Sequence, residues 1–219
     1  MTTLIIATRN RHKAEEINAI LGAEFRCLSL NEFPGAPPLI EDTDTFAGNA
    51  AAKATQLADW LSARGRLPVS TDAAVFVLAD DSGLEVDALA AAPGVHSARF
   101  AALDTGAPGN SADSDNNTKL LRLLEKVPRE KRTGRFRCVL ALVPVNRLPA
   151  SVTPQFFKGA CEGRIQFAAS GAGGFGYDPL FVPDGFKLSF AELEADVKNQ
   201  LSHRARALAG LRRHFRGDT

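Results

Sequence analysis

Apolar and polar residues fall into blocks whose period changes along this 219-residue chain. Leu4 to Ala7 is an apolar run the length of a buried strand, and the polar loop Thr8-Arg9-Asn10-Arg11-His12-Lys13 follows it. Ala14, Ile17, Ile20 and Leu21 then recur at helical spacing, with Gly22 as the stop signal. Pro34, Pro37 and Pro38 punctuate a loop that leads into Glu41-Asp42-Thr43-Asp44. Thr45 is a good N-cap for a helix whose apolar face is Phe46, Ala50, Ala54, Leu57 and Leu61. The stretch from Ser62 to Asp72 reads as a surface insertion before a second buried strand at Val75 to Ala79.

The later half repeats the alternation. Gly106 to Asp115 is a loop by composition. A helix runs through Leu120, Leu121 and Leu124 and stops before Pro128, and Phe136 to Val143 reads as a strand with Pro144 at its end. Phe156-Phe157 and Ile165-Gln166-Phe167, flanking Gly163, form a hairpin in this reading. Ser189 with Glu192 has the capping-box form and predicts a helix start. Ser202 caps a last helix with apolar positions Ala205, Leu208, Ala209 and Phe215. Strands alternating with helices, plus a hairpin, predict an α/β fold on a mixed sheet. Residues 1–219 read as a single domain, with no repeat and no linker-like stretch.

Composition narrows the class. The chain is 45% hydrophobic and 23% charged, ordinary values for a globular enzyme with a sizeable core. Its formal net charge of +1 favours a small ligand over a nucleic-acid polymer. Cys27, Cys138 and Cys161 are odd in number, widely spaced and without zinc-type spacing, which points to reduced thiols in a cytoplasmic protein. The first residues read as a short strand signal, not a secretory one, and no run approaches the roughly 20 apolar residues that span a bilayer.

Five segments can carry chemistry. The loop Thr8 to Lys13 sits between a strand and a helix, where free N–H groups, the positive end of the helix dipole and Arg9, Arg11 and Lys13 suit a phosphate; Asn10 as a plain helix cap explains the same residues. Glu41, Asp42 and Asp44 precede a helix, either as dipole-favoured carboxylates or as ligands for a hard cation. On that helix Asn49 and Lys53 are four apart and share a face. In Asp80-Asp81-Ser82-Gly83-Leu84-Glu85-Val86-Asp87 two carboxylates close an apolar run, where α/β sheets place their ligands; a simple Asp-Ser-Gly turn is the plainer reading.

Gly171-Ala172-Gly173-Gly174-Phe175-Gly176 formally fits a dinucleotide fingerprint, but Asp178-Pro179 follows at once and opposes a helix there. A glycine loop presenting Phe175 or Tyr177 to a base fits better. Lys198, His203 and Arg204 bracket the start of the last helix, and Arg206, Arg212, Arg213 and Arg216 beyond them read as a solvated face.

In their joint order these blocks resemble the inosine triphosphate pyrophosphatase family. Pro93 to Phe100 and Asn116 to Leu121 share the likeness, which covers nearly the whole chain. The resemblance implies two lobes around a central nucleotide-binding cleft, usually in a homodimer. It implies Mg²⁺-dependent hydrolysis of deaminated purine triphosphates (ITP, dITP, XTP) between the α and β phosphates, with no nucleic-acid or membrane partner. Carried over, it makes Thr8, Arg9, Asn10, Arg11, His12 and Lys13 the triphosphate loop and puts Lys53 near the phosphates. Glu41 and Asp81 become metal ligands, with Asp81 also the proton acceptor for the attacking water. Ser82, Phe175, Gly176, Tyr177, Asp178, Lys198, His203 and Arg204 become nucleotide contacts. The Ser202-His203-Arg204 block disfavours a relative acting on modified pyrimidines. Four residues depart from the family pattern, and the stretch from Ser62 to Asp72 is longer than usual. Thr43 replaces a usual glycine, which leaves Glu41 or Asp42 open as the second metal ligand. His96 and Phe100 replace tyrosines, and Ala102 replaces a glycine.

Overall fold

A computed structural model describes residues 1–64, 74–145 and 153–217. Most of the predicted insertion lies outside these residues. Along the described chain, β1 (Thr3–Ile6) leads into α1 (Arg11–Leu21), β2 (Arg26–Ser29), α2 (Phe46–Ala63) and β3 (Val75–Val86). Then come α3 (Asp113–Leu123), β4 (Thr133–Pro144), β5 (Gln155–Ile165), β6 (Phe181–Pro183), α4 (Ala195–Leu201) and α5 (His203–Arg216). The strands form one mixed six-stranded sheet in the order β2-β1-β3-β4-β5-β6. β1 pairs in parallel with both β2 and β3, whereas β5 and β6 are antiparallel.

The local signals account for most of these elements. Asn10 caps α1 by accepting from the Lys13 N–H, and Gly22 ends the helix at φ 59°, a backbone that favours glycine. Thr45 caps α2 by accepting from the Gly48 N–H. The Ser202 hydroxyl caps α5 by accepting from the Ala205 N–H at 3.1 Å.

Two compact units divide the chain. The first comprises residues 1–81, 138–158 and 207–219, the second residues 82–137 and 159–206. Leu4, Ile6, Ile17, Leu78, Leu140, Leu142, Leu208 and Leu211 centre the core of the first. Leu84, Val86, Leu120, Phe136, Tyr177, Leu180, Phe181 and Phe190 centre that of the second. Full burial of each such side chain contributes roughly 1.5–3 kcal/mol.

Three sequence expectations are corrected. Segments 156–157 and 165–167 are not two arms of a hairpin. β5 runs unbroken through Gly163, and its antiparallel neighbour is β6, with Gly163 opposite Pro183. Gly163 marks a close approach rather than a turn, because a Cβ there would collide with the Val182 carbonyl oxygen. Ser189 and Glu192 do not open a helix. The Glu192 carboxylate accepts from the Ser189 N–H at 2.8 Å, but the Ser189 hydroxyl donates to the Ser170 carbonyl, and the next helix begins only at Ala195. Finally, the second strand does not stop at Ala79 but continues through Asp80-Asp81-Ser82-Gly83 to Val86. That extension needs the two aspartates to be stabilised away from water.

Candidate active site

The strand order reverses direction around β1, with β2 on one side and β3 on the other, so the carboxyl ends of β1 and β3 lie at a switch point where parallel sheets bind ligands. Ile6 is in register with Leu78, and the Ala7 N–H donates to the Leu78 carbonyl at 2.9 Å. The loop from Thr8 therefore leaves the sheet beside Asp80 and Asp81.

Side chains alternate across a strand, so the two aspartates serve opposite faces. Asp80 is buried, and its Oδ1 accepts from Lys13 Nζ at 2.6 Å. Asp81 is also buried. Its Oδ1 accepts from Lys53 Nζ at 3.3 Å and its Oδ2 from the Asn49 amide at 3.2 Å. The four-residue spacing of Asn49 and Lys53 on α2 thus aims both at one carboxylate. Thr43 fixes the amide orientation, since its N–H and its hydroxyl both donate to Asn49 Oδ1, at 3.0 and 2.9 Å. Among the described residues it is Glu41, not Asp42, that pairs with Lys53, at 3.0 Å.

The charges compete unevenly. Burial opposes the ammonium of Lys53, but Asp81, Glu41 and Asp80 together outweigh it and hold its pKa above the ordinary value. Asp81 moves upward as well. Burial is the main cause, and Glu41 adds repulsion that Lys53 and Lys13 only partly offset. Two carboxylates therefore face one cation, Asp81 from the buried side and Glu41 from the exposed side. Among the described residues no three His, Cys, Asp or Glu side chains gather as a cage for a metal.

The rest of the first loop splits. Thr8 Oγ1 accepts from the Asn10 N–H, Arg9 donates to the Ala36 carbonyl, and Arg11 pairs with Glu15 on the exposed side of α1. His12 is exposed.

A second group forms in the second unit. Arg204, 1% exposed, donates to the Ser82 hydroxyl at 3.0 Å. Lys198 Nζ and Asp178 Oδ2, both buried, lie 2.6 Å apart, and the same oxygen accepts from the Phe175 N–H at 2.8 Å. Lys198 and Arg204 stand 5.1 and 5.9 Å from the centre of the Phe175 ring. Gly174 has φ 70°, and any Cβ there would strike the Asp178 carboxylate. The glycine loop is thus pinned from beneath. Tyr177 does not present its ring. It is a core residue whose hydroxyl donates to the Ser97 carbonyl, so of the two rings only that of Phe175 is half-buried rather than buried. The His203 ring stacks on Phe136.

Sequence reasoning did not single out Asp80, Thr43 or Phe136 as site residues. Asp80 was visible only as half of an aspartate pair. Arg206 and Arg212 of the last helix donate to main-chain carbonyls of Ala160 and of Ile20 and Leu21, so they bind this chain itself.

The chain is similar to known proteins over nearly its whole length. The chain is 46% identical to a dITP/XTP pyrophosphatase of Desulforamulus reducens, over 94% of this chain and 91% of that one. It is 44% identical to the dITP/XTP pyrophosphatase of Shouchella clausii, over 99% and 98%. Among solved structures, a HAM1 protein from Coxiella burnetii matches with a TM-score of 0.78 at 32% identity, covering 99% of this chain and all of that one. A nucleoside-triphosphatase / dITP/XTP pyrophosphatase from Mycobacterium abscessus matches with a TM-score of 0.69 at 34% identity, over 96% and 98%. The model of the Ham1 family matches residues 4–214, which takes in both groups of side chains and all of the sheet but Thr3, and the chain belongs to that family.

Proposed function

We propose that this protein hydrolyses deaminated purine nucleoside triphosphates (ITP, dITP and XTP) to the monophosphate and pyrophosphate, with Mg²⁺. The chain is a nucleoside triphosphate pyrophosphatase of the Ham1 family, and its relatives are named for dITP and XTP. The observation that carries the mechanism is Lys53, held 3.0 Å from Glu41 and 3.3 Å from Asp81. Two hard oxygen donors converge there on a single positive charge.

That donor set fits Mg²⁺, which takes one or two carboxylates and completes its shell with water and phosphate oxygens. Glu41 and Asp81 would hold it. Bound there, the ion supplies charge neutralisation for the triphosphate and a lowered pKa for water. In this reading a water oxygen bonds to the α phosphorus and the bond from that phosphorus to the bridging oxygen breaks. Pyrophosphate departs, and the water's proton passes to Asp81. The upward shift of Asp81 supports its role as acceptor, because a carboxylate poised nearer neutrality is a better base. Lys13 and Lys53 offset the charge on the leaving pyrophosphate.

A second set of side chains is suited to the nucleoside. Phe175 offers a stacking face, while His203 and Arg204 are donors suited to a 6-oxo group. Adenine carries a donor amine at that position and leaves such a site unpaired, which costs affinity. Guanine shares the 6-oxo group, and its exclusion falls to its 2-amino group. The enzyme acts on the cytoplasmic nucleotide pool and works as a homodimer, a point that light scattering on the eluted protein checks.

The test is pyrophosphate release from ITP, XTP, GTP and ATP, with and without Mg²⁺, on wild type and Asp81→Asn. Mg²⁺-dependent release from ITP and XTP that the variant loses supports the reading. Equal rates on ATP and GTP refute the selectivity, and no release from any of them refutes the activity.

A further inference from the structure

We propose that Asp80 is a positioning residue for Lys13, serving the reaction through that lysine and not through the metal. The inference rests on the triphosphate-binding role proposed above for Lys13. The Asp80 side chain is wholly withdrawn from solvent, and its Oδ1 lies 2.6 Å from Lys13 Nζ. Its other oxygen accepts from the Cys138 thiol of β4 at 3.3 Å. A carboxylate with both oxygens engaged inside the sheet has no approach for an ion with its waters. Its neighbour Asp81, on the opposite face, lies against Glu41's partner Lys53 instead.

Lys13 has the opposite character. It sits in the first turn of α1 on a flexible four-carbon stem, and 17% of its side chain remains exposed. Left alone, such an ammonium samples many positions, and a substrate must then pay to order it. The contact with Asp80 spans 67 positions of sequence and ties the stem to the carboxyl end of β3. Cys138 in turn fixes the rotation of the carboxylate. The lysine is thereby pre-organised for phosphate oxygens, which is where oriented charge gains most in the transition state.

The experiment is a double-mutant cycle. Asp80→Asn, Lys13→Met and the double variant are assayed for ITP turnover and for binding of pyrophosphate by calorimetry, with Mg²⁺ titrated in each. Asp80→Asn is expected to lower kcat/KM at least tenfold and to weaken pyrophosphate binding in the Lys13 background. Both effects vanish once Lys13 is Met, and the Mg²⁺ concentration for half-maximal activity stays within about twofold of wild type. If Asp80→Asn costs as much in the Lys13→Met background, or if it shifts the Mg²⁺ requirement, the inference is overturned. Cys138→Ala, which removes only the second partner, keeps the test open should Asp80→Asn fold poorly. It is expected to give a several-fold loss that Lys13→Met likewise erases, and an unchanged kcat/KM and pyrophosphate affinity count against the inference. A wild type without ITP turnover sinks the reading of function instead, and so the two failures are distinct.

Discussion

The ring of His203 lies almost parallel to that of Phe136, with centroids 4.8 Å apart and 13° between the planes. Phe136 is itself wedged against Phe181 and Phe190, at 4.8 and 5.8 Å, so the imidazole rests on a rigid aromatic floor. In the function proposed above that ring donates to a purine oxygen, and a donor edge works best when it is held in plane. Such a stacked pair contributes about 1 kcal/mol, roughly fivefold in affinity. Phe136→Leu is therefore expected to raise KM for ITP about fivefold and to change kcat less. Phe136→Tyr should recover most of the loss. Steady-state kinetics of both variants decide it, and an unchanged KM in the leucine variant would refute the orienting role.

Arg132 is 2% exposed and donates to three main-chain carbonyls, those of Leu124 at 2.6 Å, Val127 at 3.0 Å and Gln166 at 3.1 Å. Its guanidinium also lies 3.8 Å from the centre of the Phe167 ring. The fork thus closes the end of α3 onto the residue following β5. Removing it strands one buried acceptor and two half-buried ones at once, and a buried one left unpaired costs about 1–3 kcal/mol. Arg132→Ala is expected to lower unfolding free energy by about 3 kcal/mol in urea titrations, and Arg132→Lys to recover only a part, since one ammonium cannot reproduce the fork. A loss below about 0.5 kcal/mol in the alanine variant, the range of ordinary surface changes, would contradict this assignment.

Asp87 gives a pH dependence of known sign. The Thr133 hydroxyl donates to it at 2.6 Å and Arg135 at 2.9 Å, and together they outweigh burial to hold the carboxyl below its ordinary value of 3.8. A depressed carboxyl contributes stability above the unfolded pKa and loses it as pH falls through the lower, folded pKa. Thr133→Val, which removes the largest cause, should destabilise the protein at neutral pH. The gap from wild type should close as pH drops well below 3.8. Urea midpoints at neutral and at acid pH measure it, and a gap that widens in acid would reverse the sign.

Cys27 is only half-buried, yet burial pushes its thiol up to about 11 from an ordinary 9.0. The reactive species is the thiolate, so a rise of that size cuts it on the order of a hundredfold near pH 8. Iodoacetamide should therefore label Cys27 of the native protein about a hundredfold more slowly than the urea-unfolded chain. A time course followed by mass spectrometry tests this, and labelling at the free-thiol rate would show the thiol to be unshifted.

What the sequence determined by itself is what local physics controls. The caps Asn10, Thr45 and Ser202, the stop at Gly22 and the apolar stripe of α2 all act within about four residues, and each stands as read. The order of the polar blocks carried the family. Tertiary structure decided the division of labour. Asp80 and Asp81 are neighbours of one residue type, and nothing in their sequence tells which faces Lys13 and which faces Lys53. Those contacts join positions 67 and 28 residues apart; the first forms once β1 and β3 are paired, the second once α2 packs beside β3. The same holds for the misread stretches. Asp80-Asp81-Ser82-Gly83 looks like a turn until Lys13 and Lys53 pair with its aspartates, and Gly163 looks like a hairpin tip until β6 closes on it. Ser189 with Glu192 looks like a helix start until Ser170 claims the hydroxyl. Short-range hydrogen bonds are written in the order of residues, whereas the partner of a buried charge is set by which strands lie side by side.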